Sequence, residues 1–278
     1  MPELQRKYSP IGVFDSGYGG LTILKEIVKE LPEYDFLYLG DNARAPYGSR
    51  SFETVYEYTL ECVKHLFDKG CHLVVLACNT ASAKALRNIQ QKDLPGIDPS
   101  RRVLGVIRPT TELAGNYTKS KHIGVLGTAG TVLSQSYPIE VSKFHPEVKV
   151  YQEACPLWVP LVEYGKQNSP EADKEVKKHI DNLLGRSPKI DTIILGCTHY
   201  PLLIDAIRKF VPENIKLITQ GEIVAKGLKD YLNRHPEMEV KCSKNSNLEF
   251  YTTGDTAGFD SKGTLFFGKA IRSRHLQL

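Results

Sequence analysis

Short apolar, β-branched runs alternate with longer amphipathic stretches along the chain, the pattern of βαβ units that build parallel sheets with helices on both faces. Strands are predicted at 11–14, 36–39, 73–77, 103–107, 123–126, 148–151, 193–195, 215–218 and 248–251. Helices fill most of the gaps. The clearest runs over 51–68, with Ser51 placed to cap its first turn and Gly70 to end it; a second, over 170–184, closes on Gly185.

The two halves of the chain echo each other. Pro10-Ile11-Gly12-Val13-Phe14-Asp15-Ser16-Gly17 recurs as Lys121-His122-Ile123-Gly124-Val125-Leu126-Gly127-Thr128, a strand running into a turn that contains glycine. Leu73-Val74-Val75-Leu76-Ala77-Cys78-Asn79-Thr80 recurs as Thr192-Ile193-Ile194-Leu195-Gly196-Cys197-Thr198-His199. Each half thus carries a cysteine where a strand gives way to a helix. Ligands of open parallel sheets bind beyond the carboxyl ends of the strands, so two similar lobes facing each other would bring Cys78 and Cys197 to one cleft.

Composition narrows the classes. The 278 residues leave room for two domains, and 41% hydrophobic with 24% charged residues excludes collagen-like, mucin-like and disordered chains. The net charge of +4 is spread without a run of five like charges, so no nucleic-acid partner is expected while a small anionic ligand is allowed. No apolar stretch is long enough for a membrane span, and the polar segment Met1 to Pro10 lacks a signal core; a cytoplasmic protein is expected. Neither a C-x-x-C pair nor an H-E-x-x-H motif occurs, so no metal site is expected and the six cysteines read as free thiols.

A thiol at a helix start meets the positive end of the helix dipole, which draws its pKa down from roughly 8.5 and populates the thiolate, a base or nucleophile. This applies to Cys78 and Cys197; Cys62, Cys71, Cys155 and Cys242 read as core residues. The loop Asp15-Ser16-Gly17-Tyr18-Gly19-Gly20 could cradle an anion or simply make a turn at positive φ. It is no Walker loop, because Tyr18 follows Gly17 where lysine is required. It is no dinucleotide loop either, since Thr22 replaces the third glycine.

Five motifs then carry a resemblance across nearly the whole chain. They are Phe14-Asp15-Ser16-Gly17-Tyr18-Gly19-Gly20-Leu21, Gly40-Asp41 with Pro46-Tyr47-Gly48, Ala77-Cys78-Asn79-Thr80-Ala81, Glu153-Ala154-Cys155-Pro156 with Val159-Pro160, and Gly196-Cys197-Thr198-His199-Tyr200-Pro201. In this order the sequence resembles the glutamate racemases of the aspartate/glutamate racemase family. The resemblance implies an α/β fold of two pseudo-symmetric lobes, each a parallel-sheet sandwich, with the active site in the cleft between them. It implies a first lobe at 1–100, to which 213–278 returns, and a second at 101–212. It also implies a cofactor-independent enzyme that interconverts L- and D-glutamate for bacterial peptidoglycan, and a homodimer.

By the same resemblance Cys78 and Cys197 are the catalytic thiols, assisted by Asp15 and His199. Asp15, Ser16, Tyr47, Gly48, Asn79, Thr80, Thr198 and His199 contact substrate, and Asp41 and Glu153 are auxiliary acids near the site. The chain departs from the family pattern at Arg108-Pro109-Thr110, where Glu-Pro-Gly or similar is usual. Its short N-terminus is unlike that of members activated by a peptidoglycan precursor. The residues taken by themselves leave other readings open: a sister enzyme acting on aspartate, a hydantoin or maleate; a hydrolase or transferase using one thiol covalently; or a bilobed amino-acid-binding protein.

Overall fold

The computed structural model describes residues 9–278; the polar opening segment falls, for residues 1–8, outside them. Among the described residues there are ten strands: β1 (Ile11–Asp15), β2 (Phe36–Gly40), β3 (Leu73–Leu76), β4 (Arg102–Gly105), β5 (His122–Gly127), β6 (Lys149–Ala154), β7 (Thr192–Gly196), β8 (Lys216–Ile218), β9 (Leu248–Thr252) and β10 (Ser273–His275). They form two parallel sheets, ordered β10-β9-β2-β1-β3-β4 and β6-β5-β7-β8.

The duplication read in the sequence is a duplication of topology. Each lobe is built on the order second-first-third-fourth, and the first sheet adds β9 and β10 at one edge. Register extends the match to single residues: Gly12 pairs with Val74 and Gly124 with Ile193, so Cys78 and Cys197 each stand four residues beyond the equivalent ladder position.

Side chains alternate across these strands into separate cores, the period-2 consequence of the pleat. Val13 and Val75 pack on one face of the first sheet with Leu24 and Ile27, while Phe14, Val74 and Leu76 pack on the other with Val63 and Leu66. In the second sheet Ile193 and Leu195 face one core and Ile194 the other. Both faces are covered, which is why the inner strands read as continuous apolar runs.

Ser51 caps the helix Phe52–Asp68 by accepting from the Thr54 N–H (3.1 Å), and Gly70 follows at φ 93°. The helix Pro170–Gly185 runs one residue further than expected, with Gly185 inside it and Arg186 at its end. The predicted strand at 103–107 stops at Gly105, and Ile107 opens a helix, Ile107–Glu112, that contains the departure Arg108-Pro109-Thr110. Arg108 pairs there with Glu112 on an exposed face, whereas Thr110 is fully buried.

The expected lobe boundaries need correction at both crossings. β4 lies beyond residue 101 yet pairs with β3 in the first sheet, and β8 lies beyond residue 213 yet pairs with β7 in the second. Each is the fourth strand of its own quartet. Hydrophobic periodicity marks a segment as a strand, but only hydrogen bonding to a free sheet edge decides which sheet receives it. The return to the first lobe begins after β8, with the helix Gly221–Arg234 packed on the helix Leu21–Glu30, and ends with β9 and β10. β10, a short edge strand of polar residues, has no apolar signature and was not foreseen.

Candidate active site

In each sheet the connections diverge in opposite directions from the first and third strands, and such a switch point opens a crevice at the strands' carboxyl ends. From β1 comes Asp15-Ser16, from β3 Cys78, from β5 Thr128, and from β7 Cys197-Thr198-His199. Ser16, Cys78, Thr128, Cys197, Thr198 and His199 line one cavity of about 90 Å³. At about 10–15 Å³ per water, this is room for a molecule the size of an amino acid. Pro46-Tyr47-Gly48 and Asn79-Thr80 also line it, as do the apolar Pro156, Val159 and Pro160.

The glycines of the first loop are explained by crowding. None of Gly17, Gly19 and Gly20 lies at positive φ, which removes the simple turn reading. A Cβ on Gly19 would instead sit 2.2 Å from Thr198 Oγ1 and 2.5 Å from His199 Nδ1, so only glycine lets the two lobes' loops meet.

The two thiols differ in their surroundings. Cys78 caps the helix Asn79–Lys84: its Sγ accepts from the Ala81 N–H (3.4 Å) and lies 3.5 Å from Ser16 Oγ. Burial, reinforced by the nearby Asp15 carboxylate, pushes this thiol up to about 12 against those hydrogen bonds. The helix-dipole expectation of a lowered Cys78 pKa is therefore wrong, because desolvation of the thiolate outweighs one N–H at a six-residue helix. Cys197 is followed instead by a 3₁₀ turn, Tyr200–Leu203, and the His199 imidazole interacts favourably with its sulfur. Burial works against a charged imidazole, yet its interactions with the Cys197 sulfur and with the Glu163 carboxylate raise His199 to about 10. His199 Nε2 lies 2.9 Å from Glu163 Oε1, so at neutral pH the imidazolium donates to that carboxylate.

Other expected residues occupy two further layers. Asp15 is fully buried beneath the cavity floor, accepting from the Gly17 N–H (2.9 Å) and Thr198 Oγ1 (3.4 Å); burial raises its pKa while His199 and these donors oppose the rise. Asp41 also stands behind the wall, where it accepts from the Tyr47 hydroxyl, Arg44 Nε (2.7 Å) and Thr253 Oγ1 (2.7 Å), and so holds the Tyr47 loop. Thr80 Oγ1 meets Thr128 Oγ1 at 2.9 Å across the lobes, and Gly130 N–H donates to Gly48 O (2.8 Å).

Glu153 does not join the site. Its carboxylate is taken up by His179 Nδ1 (2.9 Å), Asn182 Nδ2 (3.0 Å) and Arg186 (2.9 Å), all from the helix Pro170–Gly185 or its end. The acid that reaches the cavity is Glu163, at the end of the helix Trp158–Glu163, and no spacing in the sequence distinguished it. Thr128 was missed too, although the repeat set it opposite Ser16 once Gly12 is matched to Gly124.

Residues 11–226 match the family model described as Asp/Glu/Hydantoin racemase. The chain belongs to this family. It is an amino-acid racemase, an isomerase, of the aspartate/glutamate/hydantoin racemase family. The glutamate racemase of Geobacter metallireducens is 41% identical over 94% of this chain and 93% of its own. That of Streptococcus suis is 38% identical over 97% and 98%. Among solved structures, glutamate racemase isoform RacE1 from Bacillus anthracis superposes with a TM-score of 0.89 at 36% identity, covering 98% of each chain. The Francisella tularensis glutamate racemase, solved with D-glutamate, gives 0.86 at 31% identity over 97% of each. Among the described residues no helix is long and apolar enough to cross a membrane.

Proposed function

We propose that this racemase interconverts L- and D-glutamate with two opposed thiols and no cofactor. The observation that carries the reading is the single cavity lined by Cys78 from one lobe and Cys197 from the other. Inverting a stereocentre through a carbanion takes a base on one face of Cα and an acid on the other. In the L-to-D direction the Cys197 thiolate removes the α-proton, leaving the electron pair on Cα and its carboxylate. The Cys78 thiol then delivers its proton to the opposite face and is left as thiolate; the roles exchange for the reverse reaction. A Cys78 thiol pushed up to about 12 rests protonated, as the acid of this direction must.

Ser16, Tyr47-Gly48, Asn79-Thr80 and Thr198-His199 bind the substrate, and their donors offset the charge that builds up on its α-carboxylate. His199, held by Glu163, assists Cys197; Asp15, whose charge acts on Cys78 and is opposed by that of His199, is the second assisting residue. Glutamate is preferred to aspartate as substrate because the relatives at 31–41% identity are glutamate racemases. The proposal extends to a cytoplasmic homodimer whose product is D-glutamate for peptidoglycan.

The test is incubation of each enantiomer in heavy water with the wild type, Cys78→Ser and Cys197→Ser, without pyridoxal phosphate and with a chelator present. Racemisation by the wild type alone, with deuterium entering at Cα, supports the reading. Wild-type rates in both variants would remove it, and a covalent acyl intermediate without α-exchange would favour the single-thiol hydrolase.

A further inference from the structure

Behind the cavity, three buried side chains close a ring of hydrogen bonds that spans the two lobes. Asn79 Nδ2 donates to Gln220 Oε1 (2.6 Å), Gln220 Nε2 donates to the Tyr137 hydroxyl (2.9 Å), and that hydroxyl donates to Asn79 Oδ1 (2.8 Å). Each is at most 2% exposed. A closed cycle in which every donor has an acceptor is cooperative and rigid, whereas one open bond leaves polar groups unpaired in a dry interior.

The placement of the three gives the ring a role. Asn79 follows Cys78. Tyr137, on the helix Ser136–Phe144 of the second lobe, lies against Gly196, the neighbour of Cys197: a Cβ there would stand 3.1 Å from the tyrosine ring and 3.2 Å from its hydroxyl. Gln220 sits where the chain leaves β8 to return to the first lobe. Its amide also donates to Thr110 Oγ1 (3.0 Å) and Val106 O (3.3 Å), at the other crossing between lobes. Thr110 Oγ1 itself donates to Val106 O (2.9 Å), so this bond ties Gln220 to the first turn of the helix Ile107–Glu112. One amide therefore bonds to both crossings and to Asn79, the neighbour of Cys78, and reaches Gly196, the neighbour of Cys197, through Tyr137.

We propose that Tyr137 and Gln220 are positioning residues that set the separation of Cys78 and Cys197 across the substrate. The inference rests on the two-thiol reading. A displacement of about 1 Å in such a site can cost about 10²-fold in rate. With the ring open, one thiol still removes the α-proton while delivery from the other lags, so the proton, after exchange with solvent, goes back to the face it came from.

The test uses the full chain with Tyr137→Phe, which removes the hydroxyl but keeps the ring against Gly196, with Gln220→Met as a second opening of the cycle. Thr110→Val is the comparison, since it removes a bond to Gln220 and leaves the cycle closed. For each, kcat and KM are measured with L-glutamate in heavy water, and deuterium is counted in product and in recovered L-glutamate. Either ring variant should lower kcat by about 10- to 100-fold, leave KM within about threefold, and put deuterium into unracemised L-glutamate; Thr110→Val should do none of these. Wild-type kcat in a folded ring variant overturns the proposal. So does a Thr110→Val loss as large as that of Tyr137→Phe, or a kcat loss with no deuterium in recovered substrate. The two-thiol reading fails separately, through a wild type that neither racemises glutamate nor exchanges its α-proton.

Discussion

Cys78 and Cys197 occupy the same step of the same strand order, four residues past equivalent ladder positions, yet their sulfurs meet different partners. Around Cys78 stand a backbone N–H, the Ser16 hydroxyl and the negative field of Asp15. At Cys197 there is an imidazole, itself anchored by Glu163. Duplication supplied two opposed thiols; divergence of the residues after each cysteine, Asn79-Thr80 against Thr198-His199, supplied two electrostatic settings. The proposed mechanism, which rests with one thiol and one thiolate, needs that inequality, because two identical sites would share a single preference for the proton.

The comparison breaks most visibly at the sulfurs themselves. Serine at either position should lower racemisation by about 10³-fold or more, since a positioned acid or base contributes about 10²–10⁴. The residual chemistry should differ by enantiomer: Cys78→Ser still exchanges the α-proton of L-glutamate through Cys197, and Cys197→Ser that of D-glutamate through Cys78. Proton NMR in heavy water reads both, and equal exchange of both enantiomers in either variant would contradict the facial assignment.

His199→Asn removes the cation from one setting only. A fall of about 10²-fold is expected, and it should be equal in kcat/KM for the two directions, because mirror-image substrates have an equilibrium constant of one. The individual kcat values are free to diverge, and polarimetry from each enantiomer measures both.

Glu163→Gln is the milder probe of the same pair, with an expected loss of about tenfold in kcat. It should also move the His199 titration down from about 10. The sign of the stability effect follows from linkage. A folded-state pKa raised above 6.5 stabilises the protein fully below that value and loses the contribution as pH rises toward and through about 10. In Glu163→Gln the loss should shift to lower pH, which urea unfolding at several pH values and imidazole NMR would detect.

The smallest effect on rate belongs to Glu153. Glu153→Gln should leave kcat unchanged while destabilising the fold by about 1–3 kcal/mol, the cost of unpairing a buried network. A large loss of activity at intact stability would return Glu153 to the site.

Sequence alone determined the inner strands, the Ser51 cap, the duplication and the two cysteines at matched junctions, because these are local: apolar runs, caps and repeats are written in neighbouring residues. It left undecided which sheet would take β4 or β8, since an edge accepts any strand that reaches it. Glu163, Gln220 and Tyr137 were invisible for the same reason, being defined by partners that lie far away along the chain. Only tertiary structure could reverse the expected acidity of Cys78, because the cost of removing a thiolate from water depends on everything packed around it. The short polar β10 escaped for the opposite cause: its pairing comes from the exposed edge of β9 and not from any pattern of its own.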